Sequence, residues 1–276
     1  MVLINGCSFT SGLALHDPTC VYSVDYCNQN SLSFNNIATE GNSNDNIRST
    51  TISELLTKDY KFAMVNWNTP WRLTLGKLIS GQTPMYILPN HAFNGNYDDC
   101  SKYLDVGKFW EHFYDGFYYH RSYFESVYLL QEFCKSRKVN YVFTNTNNFM
   151  QVRAWQQISQ SLLKGIDHPD TYINYFSEST KTFLNLTYEK LYRKNNMELI
   201  KHVFRRITCY VDAIDWNRFV GLDEAPFFTI PSVWPTELDK VHPGKQAHLY
   251  WRDLLSQTEW LNREILNIQQ TGNIPT

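Results

Sequence analysis

The sequence predicts an α/β protein in which a mainly parallel sheet lies between two layers of helices. Three observations predict this fold class. Short apolar runs typical of buried strands alternate with segments of helical periodicity. The chain has 276 residues, 43% of them apolar and 19% charged, which suffices for one large folded domain. Polar turns follow the first strand candidates, as is typical of the ligand-binding edge of a parallel sheet.

The first quarter of the chain supplies three strand candidates. Residues 1–5 form a β-rich run that ends at Gly6, residues 34–38 form a weaker one, and residues 61–67 end before Pro70. Between the last two strands, the Asx- and Gly-rich residues 41–45 predict a turn and a helix cap, after which apolar residues follow at helical spacing.

The rest of the chain is predicted as helix-strand units. Residues 122–137 form an amphipathic helix and residues 139–144 a strand. The remaining predictions are helices over 179–192 and 197–206, a strand over 207–211, and a last helix that opens at Pro243 and Gly244. Residues 1–276 are therefore interpreted as one domain with insertions at about 84–120 and 155–206.

Composition excludes several partners. A formal net charge of -2 gives no reason to expect nucleic acid, and no run approaches the roughly 20 apolar residues that span a bilayer. No signal segment is evident, which favours a cytoplasmic location.

The six cysteines favour reduced thiols, with disulfides among Cys20, Cys27 and Cys100 as the alternative. The histidines lack ligand-like spacing, so we expect no metal, and the oligomeric state stays open.

Polar residues that follow different strands are expected to meet at one edge of the sheet. Ser8, Gly41 and Asn68 each follow a strand candidate. A serine hydroxyl becomes a good nucleophile when an imidazole takes its proton and a carboxylate orients that imidazole. Asp239 and His242 offer both groups just before the last helix, so the sequence predicts a triad of Ser8, His242 and Asp239.

Attack on an ester carbonyl creates an oxyanion, which requires donors aimed at the developing charge. The backbone N–H groups of Ser8 and Gly41 and the side-chain amide of Asn68 fit this role. Each residue also has a structural interpretation: Asp239 and His242 as caps of the last helix, Gly41 as a turn residue with positive φ, and Asn68 as an Asx turn.

Several of these motifs resemble those of the SGNH, or GDSL-like, hydrolases. Residues 6–12 (GCSFTSG) resemble the family's first motif, Gly-Asp-Ser, with Cys7 in place of the aspartate. Gly41 falls where the second motif is expected, and Asn68 where the third is, although Thr69 stands where the family often has aspartate. Residues 239–243 (DKVHP) resemble the last motif, Asp-x-x-His, and the resemblance covers the two ends and the first quarter of the chain.

This resemblance implies a flavodoxin-like sheet and a serine hydrolase that needs no cofactor. It also implies a catalytic triad of Ser8, Asp239 and His242 and an oxyanion hole of Ser8, Gly41 and Asn68. The start and end of the chain look like family versions encoded by large tailed bacteriophages. That likeness implies a location in the host cytoplasm or in the virion.

The sequence therefore predicts an esterase that acts through an acyl-enzyme on a small-molecule or carbohydrate ester, for example an O-acetyl group. The alternative is a catalytically weak or inactive binding or structural module, associated with a phage virion. A phosphoryl-transfer enzyme is disfavoured because no phosphate-binding glycine loop or carboxylate cluster occurs. An aromatic-rich segment, residues 97–123, fits either the core of an insertion, which we favour, or a platform for sugar rings.

Overall fold

A computed structural model shows the fold of the protein. The chain divides into two compact units, one comprising Met1–Thr69, Leu129–Phe149 and Asp215–Thr276, the other Pro70–Tyr128 and Met150–Ile214. Both predicted insertions lie in the second unit. The structure describes residues 1–13, 15–68, 70, 73–75, 85–87, 116–145, 150–165, 174–176, 197–221 and 242–271.

A four-stranded parallel sheet forms the centre of the first unit. Its strands are β1 Val2–Asn5, β2 Phe34–Asn36, β3 Phe62–Trp67 and β6 Asn140–Asn145, in the order β2-β1-β3-β6. A single parallel bridge joins Phe143 of β6 to Phe219 and continues this order at one edge. The predicted α/β fold class with a parallel, flavodoxin-like sheet is thereby confirmed.

Helices cover both faces of this sheet. After β1 come the short helix α1 Ser8–Ser11 and then α2 Tyr22–Gln29, and α3 Asn44–Thr57 links β2 to β3. The connection from β1 to β2 and the connection from β2 to β3 run in opposite directions across the sheet, so right-handed connections place α2 and α3 on opposite faces. Successive side chains of β1 point to opposite faces of the sheet. Ile4 packs with the core on the α2 face, whereas the Asn5 amide donates to the Ile47 carbonyl of α3 at 3.1 Å.

The last two helices complete the face that α2 covers. They are α7 Lys245–Gln257 and α8 Glu259–Thr271, where the sequence predicted one continuous helix, and Thr258 between them is extended. Their buried residues join those of β1, β3 and α2 in one apolar cluster. Its members include Val2, Ile4, Tyr22, Val24, Phe62, Met64, Ala247, Trp251, Leu255, Leu261 and Ile265.

The second unit contains α5 Met150–Leu163, α6 Met197–Ala213 and an antiparallel pair of short strands, β4 Leu73–Leu75 and β5 Met85–Ile87. Helix α4, Gly116–Arg137, of which the residues up to Tyr128 belong to this unit, begins earlier than predicted. The predicted strand over 207–211 is wrong, because those residues continue α6. The buried residues Phe204, Ile207 and Val211 recur at helical spacing, so one amphipathic face runs through both segments.

The described part of the aromatic-rich segment, residues 116–123, belongs largely to a core. Phe117 is buried, and its ring lies 6.5 Å from that of Trp155 and 5.3 Å from that of Phe204. Tyr119 and Tyr123 are buried as well. The core interpretation is confirmed for these three residues, whereas Tyr118 is 57% exposed. The rest of the segment and the predicted helix over 179–192 lie outside the described residues.

The described residues bear on two expectations, one about membrane-spanning segments and one about disulfides. None of the helices there is long and apolar enough to cross a membrane. Cys20 and Cys27 are both thiols, so neither is in a disulfide. Burial raises the pKa of the Cys27 thiol to about 12, which keeps it protonated and unreactive at neutral pH.

Candidate active site at the carboxyl edge of the sheet

The strand order fixes where a ligand site is expected. From β1 the chain continues to β2, the neighbour on one edge of β1, and then crosses to β3, the neighbour on the opposite edge. The direction in which strands are added therefore reverses between β1 and β3. Ligands of open α/β sheets bind outside the carboxyl ends of the strands at such a switch point. Ser8 follows β1 and Asn68 follows β3, which places both residues at this switch point.

Ser8 lies on a tight turn that glycine makes possible. It is the first residue of α1 and is 5% exposed, with Gly6 and Cys7 between it and the end of β1. A side chain at Gly6 would be crowded out, because its Cβ would lie 2.4 Å from Thr10 Oγ1 and 3.0 Å from Asn66 Cβ. Because glycine has no side chain, Thr10 of α1 can lie this close to the residue that follows β1.

His242 lies next to the turn that carries Ser8. Its imidazole packs edge-on against the ring of Phe9, the residue after Ser8, with the ring centroids 5.5 Å apart. The imidazole is partly exposed. The structure therefore brings together the two ends of the chain that the sequence motifs selected. Asp239, the predicted third member of the triad, lies outside the described residues.

A second histidine, His248, anchors the helix that follows His242. His248 is 1% exposed, and its Nδ1 accepts a hydrogen bond from the Tyr22 backbone N–H at 3.3 Å. Its ring also stacks on the phenol ring of Tyr22, with centroids 6.1 Å apart. Burial lowers the pKa of His248 to about 3, so this ring is neutral at physiological pH. A neutral histidine with this partner joins α7 to α2.

Asn68 is held by Asn44, the first residue of α3. The Asn68 backbone N–H donates to Asn44 Oδ1 at 2.8 Å, and Asn44 Nδ2 donates back to the Asn68 carbonyl at 3.1 Å. The amide of Asn68 itself donates through Nδ2 to the backbone carbonyl of Asn42 at 3.0 Å. All three side chains are at most 5% exposed, so these bonds form away from bulk water and fix the position of Asn68.

Gly41 lies beside this group of asparagines. Its φ of 66° is in the left-handed region, which favours glycine, and it directly precedes Asn42. Ser43 then caps α3, since its side-chain oxygen accepts from the Asn46 backbone N–H at 3.4 Å. The polar run was predicted to form a turn and a helix cap, and it does both. What the sequence did not indicate is that Asn42 and Asn44 are buried and bonded to other loops of the site.

Hydrogen bonds among three buried side chains connect strands of the sheet and α2 near this edge. The Tyr22 hydroxyl and Thr144 Oγ1 are 3.0 Å apart, and Asn66 Nδ2 donates to the same Thr144 oxygen at 2.8 Å. Burial raises the pKa of Tyr22 to about 12, so its hydroxyl stays protonated and can donate throughout the physiological range. These contacts join α2, β3 and β6 through hydrogen bonds rather than through apolar packing alone.

No group of three or more potential metal ligands occurs among the residues whose placement the structure gives. In this part of the chain, the polar side chains at this edge include the Ser8 hydroxyl, the amides of Asn42, Asn44 and Asn68, and the His242 imidazole. This is a donor set suited to binding and polarising a neutral or anionic organic group.

Comparisons with known proteins find similarity in structure only. No protein-family model matches the chain, and no curated protein sequence matches it significantly. Among solved structures, the chain is similar to the psychrotrophic esterase EstA from Pseudoalteromonas sp., solved with monoethylphosphonate as inhibitor. The identity is 10% and the TM-score 0.44, over 95% of this chain and 98% of that one. It is also similar to TesA, with 10% identity and a TM-score of 0.42 over 93% and 96% of the two chains.

Proposed function

We propose that the protein is a serine esterase with Ser8 as nucleophile, His242 as general base and Asp239 as the residue that orients His242. One observation supports this most directly: the His242 ring packs on Phe9, beside Ser8, at the switch point of the sheet. A hydroxyl and an imidazole at this edge are the groups that acyl transfer needs.

In the proposed reaction, Ser8 Oγ attacks the ester carbonyl carbon while its proton passes to His242. The tetrahedral intermediate collapses, the alcohol leaves with the proton from His242, and an acyl-enzyme forms on Ser8. Water then attacks the acyl group with the same help from His242, and the carboxylic acid leaves. Asp239 stabilises the imidazolium that forms in each half of the reaction.

The developing oxyanion is assigned to the backbone N–H groups of Ser8 and Gly41 and to the amide of Asn68. The Asn68 amide donates through Nδ2 to the Asn42 carbonyl at 3.0 Å, which holds the amide at this edge of the sheet. The firm attachment of Asn68 to Asn44 supports this role, because catalytic donors act best when they need no reorganisation during the reaction.

Labelling with a fluorophosphonate tests the proposal directly. The wild-type protein should gain one adduct, which peptide mapping locates at Ser8, and the variants Ser8→Ala and His242→Ala should lose it. Ser23→Ala is a matched control, since Ser23 is a buried serine on α2 whose hydroxyl has no partner within the described part of the chain. A wild-type protein that stays unlabelled would favour the alternative, a binding or structural module with little turnover.

The substrate class is proposed more finely as a short acyl ester, such as an O-acetyl group on a carbohydrate. Rates with p-nitrophenyl acetate, a longer p-nitrophenyl ester and an acetylated oligosaccharide would separate these options. A higher kcat/KM for the acetylated sugar than for both aryl esters supports the carbohydrate assignment. Hydrolysis of the aryl esters alone leaves the esterase proposal standing and removes the carbohydrate one.

A further inference from the structure

Asn42 makes hydrogen bonds to three different parts of the candidate site. Its Nδ2 donates to the backbone carbonyl of Gly6 at 3.0 Å, two residues before Ser8. Its own backbone carbonyl accepts from Asn68 Nδ2 at 3.0 Å. Its Oδ1 accepts from Asn46 Nδ2 in α3 at 2.6 Å. Asn42 thus connects the turn after β1, the first turn of α3 and the end of β3.

The orientation of the Asn42 amide follows from its two side-chain partners. The Gly6 carbonyl can only accept, so it requires the NH₂ side of the amide, and the Asn46 amide nitrogen requires the oxygen side. Both bonds call for the same orientation. Because Asn42 is 1% exposed, water does not readily replace either partner.

We propose that Asn42 is a positioning residue that sets the distance between Ser8 and the oxyanion donors. The inference rests on the proposed esterase function and extends it to a residue that touches neither substrate nor reacting atoms. The bond to Gly6 fixes the turn that presents Ser8, and the bond from Asn68 fixes the amide assigned to the oxyanion. A shift of either group relative to the other changes the fit to the transition state.

This role predicts a distinct kinetic signature. Losing the Asn42 side chain should lower kcat, because the nucleophile and the oxyanion donors lose their alignment in the transition state. KM should change little, because Asn42 makes no substrate contact. A residue that only stabilised the fold would instead lower the amount of active protein and leave the kcat of the folded fraction unchanged.

The test compares Asn42→Ala and Asn42→Asp with the control Asn35→Ala. Aspartate retains the acceptor for Asn46 but has no N–H for Gly6, so both Asn42 variants should lose kcat by about tenfold or more. KM should stay within about twofold. Asn35 is a partly buried asparagine in β2 whose amide donates to the Tyr60 hydroxyl at 2.7 Å, outside the site. Its loss should leave kcat unchanged.

Hydrogen exchange of the peptide covering residues 6–13 gives a readout that needs no activity. Exchange should rise in both Asn42 variants and not in Asn35→Ala. Asn42 donates to the Gly6 carbonyl, which also accepts from the Thr39 backbone N–H at 3.4 Å, whereas Asn35 bonds to Tyr60. If the Asn42 variants do not fold, Asn46→Ala removes only the bond to Oδ1 and should give smaller changes of the same sign.

The possible outcomes separate the inference from the function on which it rests. A wild-type protein without labelling at Ser8 ends the esterase proposal, and the exchange data alone then decide whether Asn42 holds the turn. An active wild type whose Asn42 variants keep kcat and normal exchange overturns the inference. Equal losses of kcat in the Asn42 variants and in Asn35→Ala overturn it as well, since loss of a bond outside the site would then affect turnover as much as loss of Asn42 does.

Discussion

Gly6 determines how closely α1 approaches the end of the sheet. An added Cβ would lie 2.4 Å from Thr10 Oγ1 and 2.8 Å from Thr10 Cβ, so either α1 or β1 must move. We expect Gly6→Ala to lower the free energy of unfolding by about 1–3 kcal/mol, as overpacking does. It should also slow fluorophosphonate labelling of Ser8, because the turn is displaced. Urea unfolding and labelling rates measure the two effects.

Gly165→Ala serves as the control for this substitution. Gly165 has a φ of 71°, but an added Cβ there meets no atom of the described residues within 4 Å. The control should cost about 1 kcal/mol through backbone strain and leave the labelling rate unchanged. Equal labelling rates in Gly6→Ala and the wild type would contradict the close approach seen between Gly6 and Thr10.

Asn68 should contribute to the rate of the proposed reaction rather than to substrate binding. In Asn68→Ala the oxyanion loses the side-chain donor assigned to it, and we expect kcat to fall by about 10²–10³ with little change in KM. Steady-state hydrolysis of an aryl acetate gives both constants. Asn30→Ala removes a comparable amide bond, from Asn30 Nδ2 to the Tyr26 carbonyl at 2.9 Å, and should leave both constants unchanged.

Residues of the candidate site differ in how far the sequence could reveal them. Ser8 and His242 were predicted because a nucleophile and its base belong to motifs with recognisable neighbours. Asn42 and Asn44 were not, because an asparagine in a Gly- and Ser-rich run is equally typical of an exposed turn. Whether such an amide is buried depends on which loops the sheet brings beside it, and no local pattern contains that information.

At the scale of single elements, the sequence predicted those whose local and tertiary signals agree. β1, β3 and β6 are buried apolar runs that end at polar or glycine residues, and the structure contains all three. The segment 207–211 was predicted as a strand that would return the chain to the core sheet, yet it continues α6. There the helical face that includes Phe204 and Val211 outweighs the local preference of Ile207 and Thr208.

The attachment of α7 to α2 through His248 should make the protein sensitive to acid. Burial lowers the pKa of His248 from 6.5 to about 3, so the native state keeps this ring neutral. Below pH 6.5 the unfolded state binds a proton that the native state does not, and stability therefore falls as the pH drops from 6.5 towards 3. The limiting slope is about 1.4 kcal/mol per pH unit for one such group.

Urea unfolding at several pH values tests this dependence. His248→Gln should reduce the slope of the free energy of unfolding between pH 6 and 4, even though it lowers stability at pH 7. His202→Gln, at an exposed position on α6, is the control and should keep the wild-type slope. An unchanged slope in His248→Gln would mean that this histidine does not contribute to acid sensitivity.

At the scale of the whole molecule, the beginning and the end of the chain form one structural body. Val2 and Ile4 of β1 share an apolar cluster with Leu261 and Ile265 of α8. The sequence predicted that polar residues from distant segments would meet at one edge of a sheet, because parallel strands impose this. It did not predict the division into two units, since the segments that form each one alternate along the chain.

Because β1 and α8 share this cluster, we expect a destabilising substitution in α8 to lower the stability of β1 as well. Leu261 is completely buried, and Leu261→Ala should lower the free energy of unfolding by about 2–5 kcal/mol. Leu266 lies on the same helix but is 54% exposed, so Leu266→Ala should stay within about 0.5 kcal/mol of the wild type. Urea unfolding of the two variants gives this difference.

Native-state hydrogen exchange then shows whether the effect crosses the chain. Since β1 and α8 belong to one cluster, the amides of Val2–Asn5 should lose as much protection in Leu261→Ala as the amides of α8 itself. Leu266→Ala should change neither set. If protection falls in α8 while β1 keeps its wild-type exchange, α8 opens separately from the sheet, and the two ends of the chain do not unfold as one cooperative unit.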